Sequence, residues 1–330
     1  MKMDENIEYI GEGIDRLVTL DVRARGVIYN LYDAARKLVD SPLTLTAARR
    51  IVETVKDGDT VIITTGFRVL PQKVQETDGP LGAAALAKSL IKAFNANPIV
   101  VIEEPSREIM ASTLRALGIN PVMNEADFKK GENSVLILDF PFELENAIEA
   151  AKRIVEKYKP SLVFATEKAG RNVKGEYHTM RGVNISSFHA KIEPLIEEAR
   201  SRGILTIGVG DGGNEVGMGN IREAIEKFVP YAKECQCPCK GGIAAESKVD
   251  LLVVASISNW GVYGIEACIA ALTENMEALH TAEEEEEMLR NSIKAGAVDG
   301  VTSKPELSVD SAPLKVHTSI IRILEGLIGK

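Results

Sequence analysis

Ile204-Leu205-Thr206-Ile207-Gly208-Val209-Gly210-Asp211-Gly212-Gly213-Asn214-Glu215-Val216-Gly217-Met218-Gly219 is the stretch whose reading decides the fold. Its first residues form a short apolar, β-branched run, as in a strand covered on both faces. Six of the twelve residues from Gly208 to Gly219 are glycine. Glycine admits positive φ and lets a ligand approach the main chain closely. A glycine-rich turn after a buried strand is where α/β proteins bind anions and cofactors. This turn also carries two acids, Asp211 and Glu215. An acid beside a phosphate cradle repels the phosphate unless a cation lies between them, so the pattern predicts a metal-bridged anion site. Tight packing alone also produces such turns. The reading therefore turns on whether other strands end in acids.

Working outward, similar apolar runs lie at 60–64, 99–102, 135–138, 162–165 and 251–254. Between them, helical periodicity spans 81–94, 107–117, 143–158 and 192–202. This alternation predicts an α/β fold with a mainly parallel sheet and helices on both faces. Residues from about 1 to 56 read as a helical N-terminal segment. One helix runs over 7–39, interrupted by Asp40-Ser41-Pro42, and a second covers 44–55. With 330 residues, 45% of them hydrophobic, the whole chain is expected to form a single α/β domain.

The other strands do end in acids. The first leads through Thr77-Asp78-Gly79, the second ends in Glu103-Glu104, and the fourth ends in Thr166-Glu167. Parallel strands share one C-terminal edge, so Asp78, Glu103, Glu104, Glu167, Asp211 and Glu215 are the candidate metal ligands. An unpaired set of buried carboxylates is costly. An oxygen-only donor set suits Mn²⁺ or Mg²⁺, and there are enough donors for more than one ion. Taken singly, each acid could instead cap a helix. Thr77, Gly212, Gly213 and Asn214, with Arg171 and Arg181, are the candidate substrate-binding residues. Guanidinium groups pair with carboxylate or phosphate in a fork, and turn N–H groups accept an anion. His178 reads as an ordinary loop residue, and Asp299 and Asp310 as turn acids within reach of the site. Asp139, before Phe140-Pro141, reads as a packing turn.

The formal net charge of −9 argues against a nucleic-acid partner and leaves a small anionic substrate open. No apolar run is long enough to span a bilayer, and no signal-peptide core follows Met1-Lys2-Met3, so a cytoplasmic location without membrane contact is expected. Glu283 to Glu287 reads as a solvated helix face. Cys235-Gln236-Cys237-Pro238-Cys239 is tighter than the common zinc spacings and reads as a reduced, exposed loop, with Cys268 apart on a helix.

Glu76-Thr77-Asp78-Gly79-Pro80-Leu81-Gly82-Ala83, Gly170-Arg171-Asn172, Met180-Arg181-Gly182 and the run from Gly208 to Gly219 together resemble the C-terminal domain of the D-glutamate cyclase family. The resemblance covers most of the chain. It implies an α/β enzyme acting on a small acidic metabolite, and cyclisation of D-glutamate to 5-oxo-D-proline with loss of water. Cyclases of that name carry a further N-terminal domain, so the resemblance is to their C-terminal part. Read from the residues themselves, the acids beside the glycine turn point first to a Mn²⁺- or Mg²⁺-dependent hydrolase, a phosphatase of a small phosphorylated metabolite. The cyclase is the alternative, and a non-enzymatic metal or metabolite sensor is a third reading.

Overall fold

The computed structural model describes residues 3–329; Met1 and Lys2, where a leader was sought, and Lys330 lie outside the described residues. Three helices come first, α1 (Met3–Val18), α2 (Val27–Arg36) and α3 (Leu43–Thr54). The chain then alternates through β1 (Thr60–Gly66), α4 (Pro80–Phe94), β2 (Asn97–Ile102), α5 (Arg107–Ala116), β3 (Asn120–Val122), β4 (Ser134–Asp139), α6 (Leu144–Tyr158) and β5 (Leu162–Lys168). It continues through α7 (Glu193–Ser201), β6 (Leu205–Gly210), α8 (Arg222–Phe228), β7 (Leu251–Val254), α9 (Ser258–Thr273), α10 (Ala282–Lys294) and α11 (Leu314–Ile328). The seven strands form one parallel sheet in the order β3-β4-β2-β1-β5-β6-β7. β1, β2 and β5 to their apolar ends are buried throughout, as the uninterrupted hydrophobic runs require. α3, α4, α5 and α9 form one packed group, while α6 and α7 pack on each other in a second. The order reverses at β1, which leads first to β2 on one side, whereas the chain later returns to β5 on the other. A crevice opens at such a reversal, outside the strand C-termini.

The sequence-based helix over 7–39 is broken. α1 stops at Val18 and α2 begins at Val27. Between them, the Asp21 carboxylate accepts the Gly26 N–H, Ala24 has φ 51° and Gly26 has φ 72°. That left-handed turn carries Arg23 and Arg25 towards the sheet edge. The expected break at Asp40-Ser41-Pro42 is present, and Asp15 caps α3 through the N–H groups of Leu43 and Thr44.

Two other expectations change. The acidic run is not a uniformly solvated face. Glu284 closes a capping box with Thr281 and takes the Lys88 ammonium at 2.7 Å, while Glu285 is fully buried and accepts the Tyr263 hydroxyl at 2.8 Å. His280 lies between Glu266 and Glu285, at 2.8 and 3.4 Å, with all three side chains buried. The cysteines, too, are not an exposed loop. Cys235 is buried, Cys237 and Cys239 are half-buried, and all three face His178. The Gln236 N–H bond to the Gly182 carbonyl, 3.0 Å, holds them there. Among the described residues no helix is long and apolar enough to cross a membrane.

The His280 cluster gives a prediction. Burial alone would lower the histidine pKa, but Glu266 and then Glu285 outweigh it and raise it to about 9. A pKa raised above the unfolded value adds stability that is full below about 6.5 and is lost as pH climbs through about 9. Urea melts across that window should show wild-type stability falling. His280→Gln should be less stable at neutral pH and should lose most of that slope; a parallel slope in the variant would assign it to other groups.

Candidate active site

β2, β1, β5 and β6 are consecutive neighbours, so the four acid-bearing strand ends do share one edge. A β-bulge decides what happens there. Thr65 of β1 pairs with Thr166 and Gly66 pairs with Lys168, leaving Glu167 unpaired in the ladder with φ 41°. An extra residue at a sheet edge re-aims side chains, and positive φ in a glutamate is a strained conformation. The Glu167 carboxylate accordingly joins the crevice, and Lys168 swings the other way into a fully buried ion pair with Glu103 at 2.6 Å. Glu103 also accepts the Ala190 N–H at 3.0 Å. Burial, the largest influence, would raise its pKa, but Lys168, His189 and the Ala190 N–H together outweigh it and hold the carboxyl below the ordinary carboxylate range. Glu103, expected as a metal ligand, is therefore already neutralised by a lysine. Glu104, expected likewise, is exposed and pairs with Arg107 at 3.3 Å. Neither joins the cluster.

The remaining four do converge. Ligand atoms of Glu167, Asp211 and Glu215 lie within 4.8 Å of one another, as do those of Asp78, Asp211 and Asp310. Asp211 belongs to both groups. Each position has a local cause. Asp78 accepts the N–H groups of Ser258 and Asn259 at 2.9 and 2.8 Å, and so caps α9. Asn259 in turn accepts the N–H groups of Gly79 and Gly82, and so caps α4. This reciprocal capping locks two helix N-termini together at the crevice, each end favouring negative charge. Glu167 accepts the Ser258 hydroxyl at 2.6 Å. Glu215 folds back so that its two oxygens accept the Gly212 and Gly213 N–H groups at 2.9 and 2.7 Å. Those turn N–H groups, expected to cradle an anion, hold the protein's own carboxylate instead.

Sequence reading missed three members. Arg23 donates to both Asp211 and Asp310 and to the Ser256 carbonyl, and Arg25 reaches Asp211 at 3.2 Å. The broken apolar stripe around residues 20–26 was the only trace of them. Glu76 follows β1 and lies beside Gly300, where an added methyl would overlap its carboxylate. It is placed by a bridge to Val298 and by the Thr77 N–H bond to the Val298 carbonyl. Of the two turn acids, Asp299 remains one, accepting from Val301, Thr302, Ser308 and Ser311. Asp310, with φ 52°, enters the cluster.

Six buried carboxylates (Glu76, Asp78, Glu167, Asp211, Glu215 and Asp310) thus face two guanidinium groups. The balance sets their protonation. Burial, then Asp211, raises Asp78 and Glu215 each to about 7. Burial and neighbouring acids push Glu76, Glu167 and Asp310 well above the ordinary range. For Asp211 alone, Arg23 and Arg25 outweigh burial and hold the pKa down. Asp211 is the acid most strongly held as an anion, while burial and mutual repulsion shift the other five towards their protonated forms.

The cluster floors a cleft of about 330 Å³. Phe67, Val69, Leu70 and Val301 make one apolar wall, and Thr179, Met180, Arg181 and Val183 make another. Asn214 lines it too, its amide N–H donating to the His178 carbonyl at 2.7 Å while its buried Oδ1 has no hydrogen-bond partner among the described residues. Arg181 is exposed at the mouth and makes no ion pair among the described residues. Arg171, the other expected anion binder, is bound to Glu197 at 2.6 Å outside the cleft lining. Thr77 is buried and donates its hydroxyl to the Ser308 carbonyl, so it braces the site from behind.

A family model described as D-glutamate cyclase-like, C-terminal, matches residues 14–325. The human protein "D-glutamate cyclase, mitochondrial" is 28% identical over 268 residues, which are 78% of this chain and 38% of the human protein. The chain therefore spans well under half the length of that relative, whose mitochondrial name lends nothing to the cytoplasmic expectation. Among solved structures, an S. aureus MnaA–UDP co-structure overlaps 47% of this chain and 31% of its own, at 16% identity and a TM-score of 0.27. A crystal structure of an uncharacterized protein overlaps 70% and 74%, at 9% identity and a TM-score of 0.21. Overlaps that loose carry no inference.

Proposed function

The chain belongs to the D-glutamate cyclase-like family, in its C-terminal part, and from that membership and the acidic cleft we infer that it cyclises D-glutamate to 5-oxo-D-proline with release of water. The phosphatase expected from the acids and the glycine turn is overturned by the family and by the human relative. The physical error lay in counting the Gly212 and Gly213 N–H groups as free, since Glu215 occupies both.

The observation that carries the reading is an acid cluster at the base of a small, half-apolar cleft with a free guanidinium at its mouth. The cleft volume suits a five-carbon dicarboxylic amino acid. Arg181 is placed to receive a carboxylate, and Phe67, Val69 and Leu70 to exclude water from the chain between the two carboxyl groups. The donor set fits a hard divalent cation. Glu167, Asp211 and Glu215, whose ligand atoms lie within 4.8 Å of one another and which all line the cleft, as Asp78 does not, are the residues that would hold the ion. When bound, Mn²⁺ or Mg²⁺ supplies Lewis acidity to the reacting carboxyl group. The ring closes when the amine nitrogen, giving up two protons of its ammonium form, bonds to the side-chain carboxyl carbon and one C–O bond of that carboxylate breaks; the departing oxygen gains two protons in exchange and leaves as water. Glu76 lines the cleft outside this ligand trio, and burial beside the other acids raises its pKa and favours the protonated form that would donate to the departing oxygen. Incubating the purified chain with D-glutamate, with Mn²⁺, with Mg²⁺ or with EDTA, and resolving 5-oxo-D-proline by chiral chromatography tests the reading. Cation-dependent product from the D-isomer is expected; no product with either cation overturns it.

Proton linkage gives a prediction independent of turnover. Asp78 and Glu215 titrate near 7, above the unfolded value of about 4, so the cation-free protein should lose stability as pH climbs between those values. A cation prefers ionised acids and must displace the proton of its ligand Glu215. The rise in melting temperature on adding Mn²⁺ should therefore grow as pH climbs through about 7, where Glu215 loses its proton. A pH-independent shift would place the ion elsewhere.

A further inference from the structure

We propose that His178, Cys235, Cys237 and Cys239 form a structural zinc site that pins the 178–184 loop, one wall of the cleft, to the 235–239 loop. The four ligand atoms lie within 4.8 Å of one another. The His178 Nε2 is 3.2 Å from the Cys237 sulfur and 3.6 Å from that of Cys239; the Cys235 sulfur is 3.4 Å from Cys237 and 3.3 Å from Cys239. These separations are far too long for a disulfide, in which the sulfurs lie about 2.05 Å apart. They approach the edges of a zinc tetrahedron, whose ligand atoms, 2.0–2.3 Å from the metal, sit roughly 3.5–3.8 Å apart. Three soft sulfurs and one imidazole select Zn²⁺ rather than the hard ions that suit the acid cluster.

Two donors face the Cys239 sulfur. The Gly241 N–H points at the Cys239 sulfur at 3.4 Å, and the Asn172 amide at 3.6 Å while also donating to the Gly242 carbonyl at 2.7 Å. Donors aimed at ligand sulfurs orient and stabilise them. The two-residue spacing, which looks too tight for zinc within one loop, suffices because the fourth ligand comes from another loop 57 residues earlier (Cys235 against His178). Four protein ligands close the coordination sphere, so the site is structural.

Its position gives it a consequence. The Asn214 amide donates to the His178 carbonyl, His178 bridges to Asn184, and Thr179, Met180, Arg181 and Val183 line the cleft. Apart from the His178 contacts, the two loops are joined by the Gln236 N–H bond to the Gly182 carbonyl and by the Asn184 amide, 3.9 Å from the Cys237 sulfur. Losing the ion frees the wall that presents Arg181, while the sheet and its acids stay in place.

The test is metal analysis of the full chain purified under reducing conditions, with Co²⁺ exchanged for the bound ion. About one zinc per chain is expected, and the Co²⁺ form should show sulfur-to-cobalt charge transfer and intense tetrahedral d–d bands. Co²⁺ among the carboxylates gives no sulfur band, so the two sites are distinguishable whether or not the cyclase reading holds. Cys237→Ser should lose most of the zinc and the sulfur band, and hydrogen exchange should quicken at 179–184 with the sheet unchanged. The wild-type spectrum decides the matter even if that variant aggregates. Absence of stoichiometric zinc, a cobalt spectrum without sulfur bands, or a disulfide among the three cysteines in the reduced protein would overturn the proposal.

Discussion

Asp211→Asn is expected to abolish measurable cyclisation of D-glutamate, by well over 100-fold, while leaving a folded protein. Asp211 is the one carboxylate shared by both acid groups and the one held ionised by Arg23 and Arg25. Losing even a group that only orients a ligand costs about 10–100-fold in metal affinity or activity. Losing the central ligand should cost more. The amide keeps the shape and leaves Arg23 its bonds to Asp310 and the Ser256 carbonyl, so the turn at residues 19–26 should persist. The Mn²⁺-induced rise in melting temperature should vanish together with turnover. Activity within tenfold of wild type, or an undiminished Mn²⁺ shift, would remove Asp211 from the centre of the site.

The largest effect on stability is expected at the other product of the β5 bulge. Lys168→Met strands the Glu103 carboxylate in a fully buried position with only the Ala190 N–H as partner. Removing one member of a buried pair costs about 3–5 kcal/mol, whereas an apolar pair of like volume is often neutral. The single variant should therefore be much the less stable, and Lys168→Met combined with Glu103→Leu should recover most of the loss. The sign with pH also follows. Glu103 is depressed in the folded state, so the pair's contribution is present above the unfolded value of about 4.3 and fades as pH falls through the lower folded value. Denaturant melts of the two variants decide it; equal losses in single and double variants would mean that the damage is packing rather than an orphaned charge.

Much of the cluster was legible because strand C-termini in a parallel sheet must share an edge. Asp78, Glu167, Asp211 and Glu215 each follow an apolar run directly or through a loop, and all four meet. Glu103 and Glu104 satisfied the same rule and do not. Nothing in Thr166-Glu167-Lys168 announces a bulge, and that extra residue sends Lys168 to Glu103. Arg23 and Arg25 were hidden because a helical reading runs through residues 19–26, where only a left-handed Gly26 and an Asp21 bond reveal the break. His178 read as an ordinary loop residue for the same kind of reason. Spacing along the chain cannot reveal a ligand supplied by a different loop.

The alternation of apolar runs and helical periodicity fixes, without any coordinates, a parallel α/β sheet whose crevice gathers acids, because burial on both faces and right-handed crossovers leave few other arrangements. Tertiary structure alone decided which acids are neutralised by lysine or arginine, which cap helices and which keep a proton. Those outcomes depend on distances of a few ångströms between groups far apart in sequence, in an interior where nearby charges and hydrogen bonds together outweigh the cost of burial for one carboxylate and not for its neighbour.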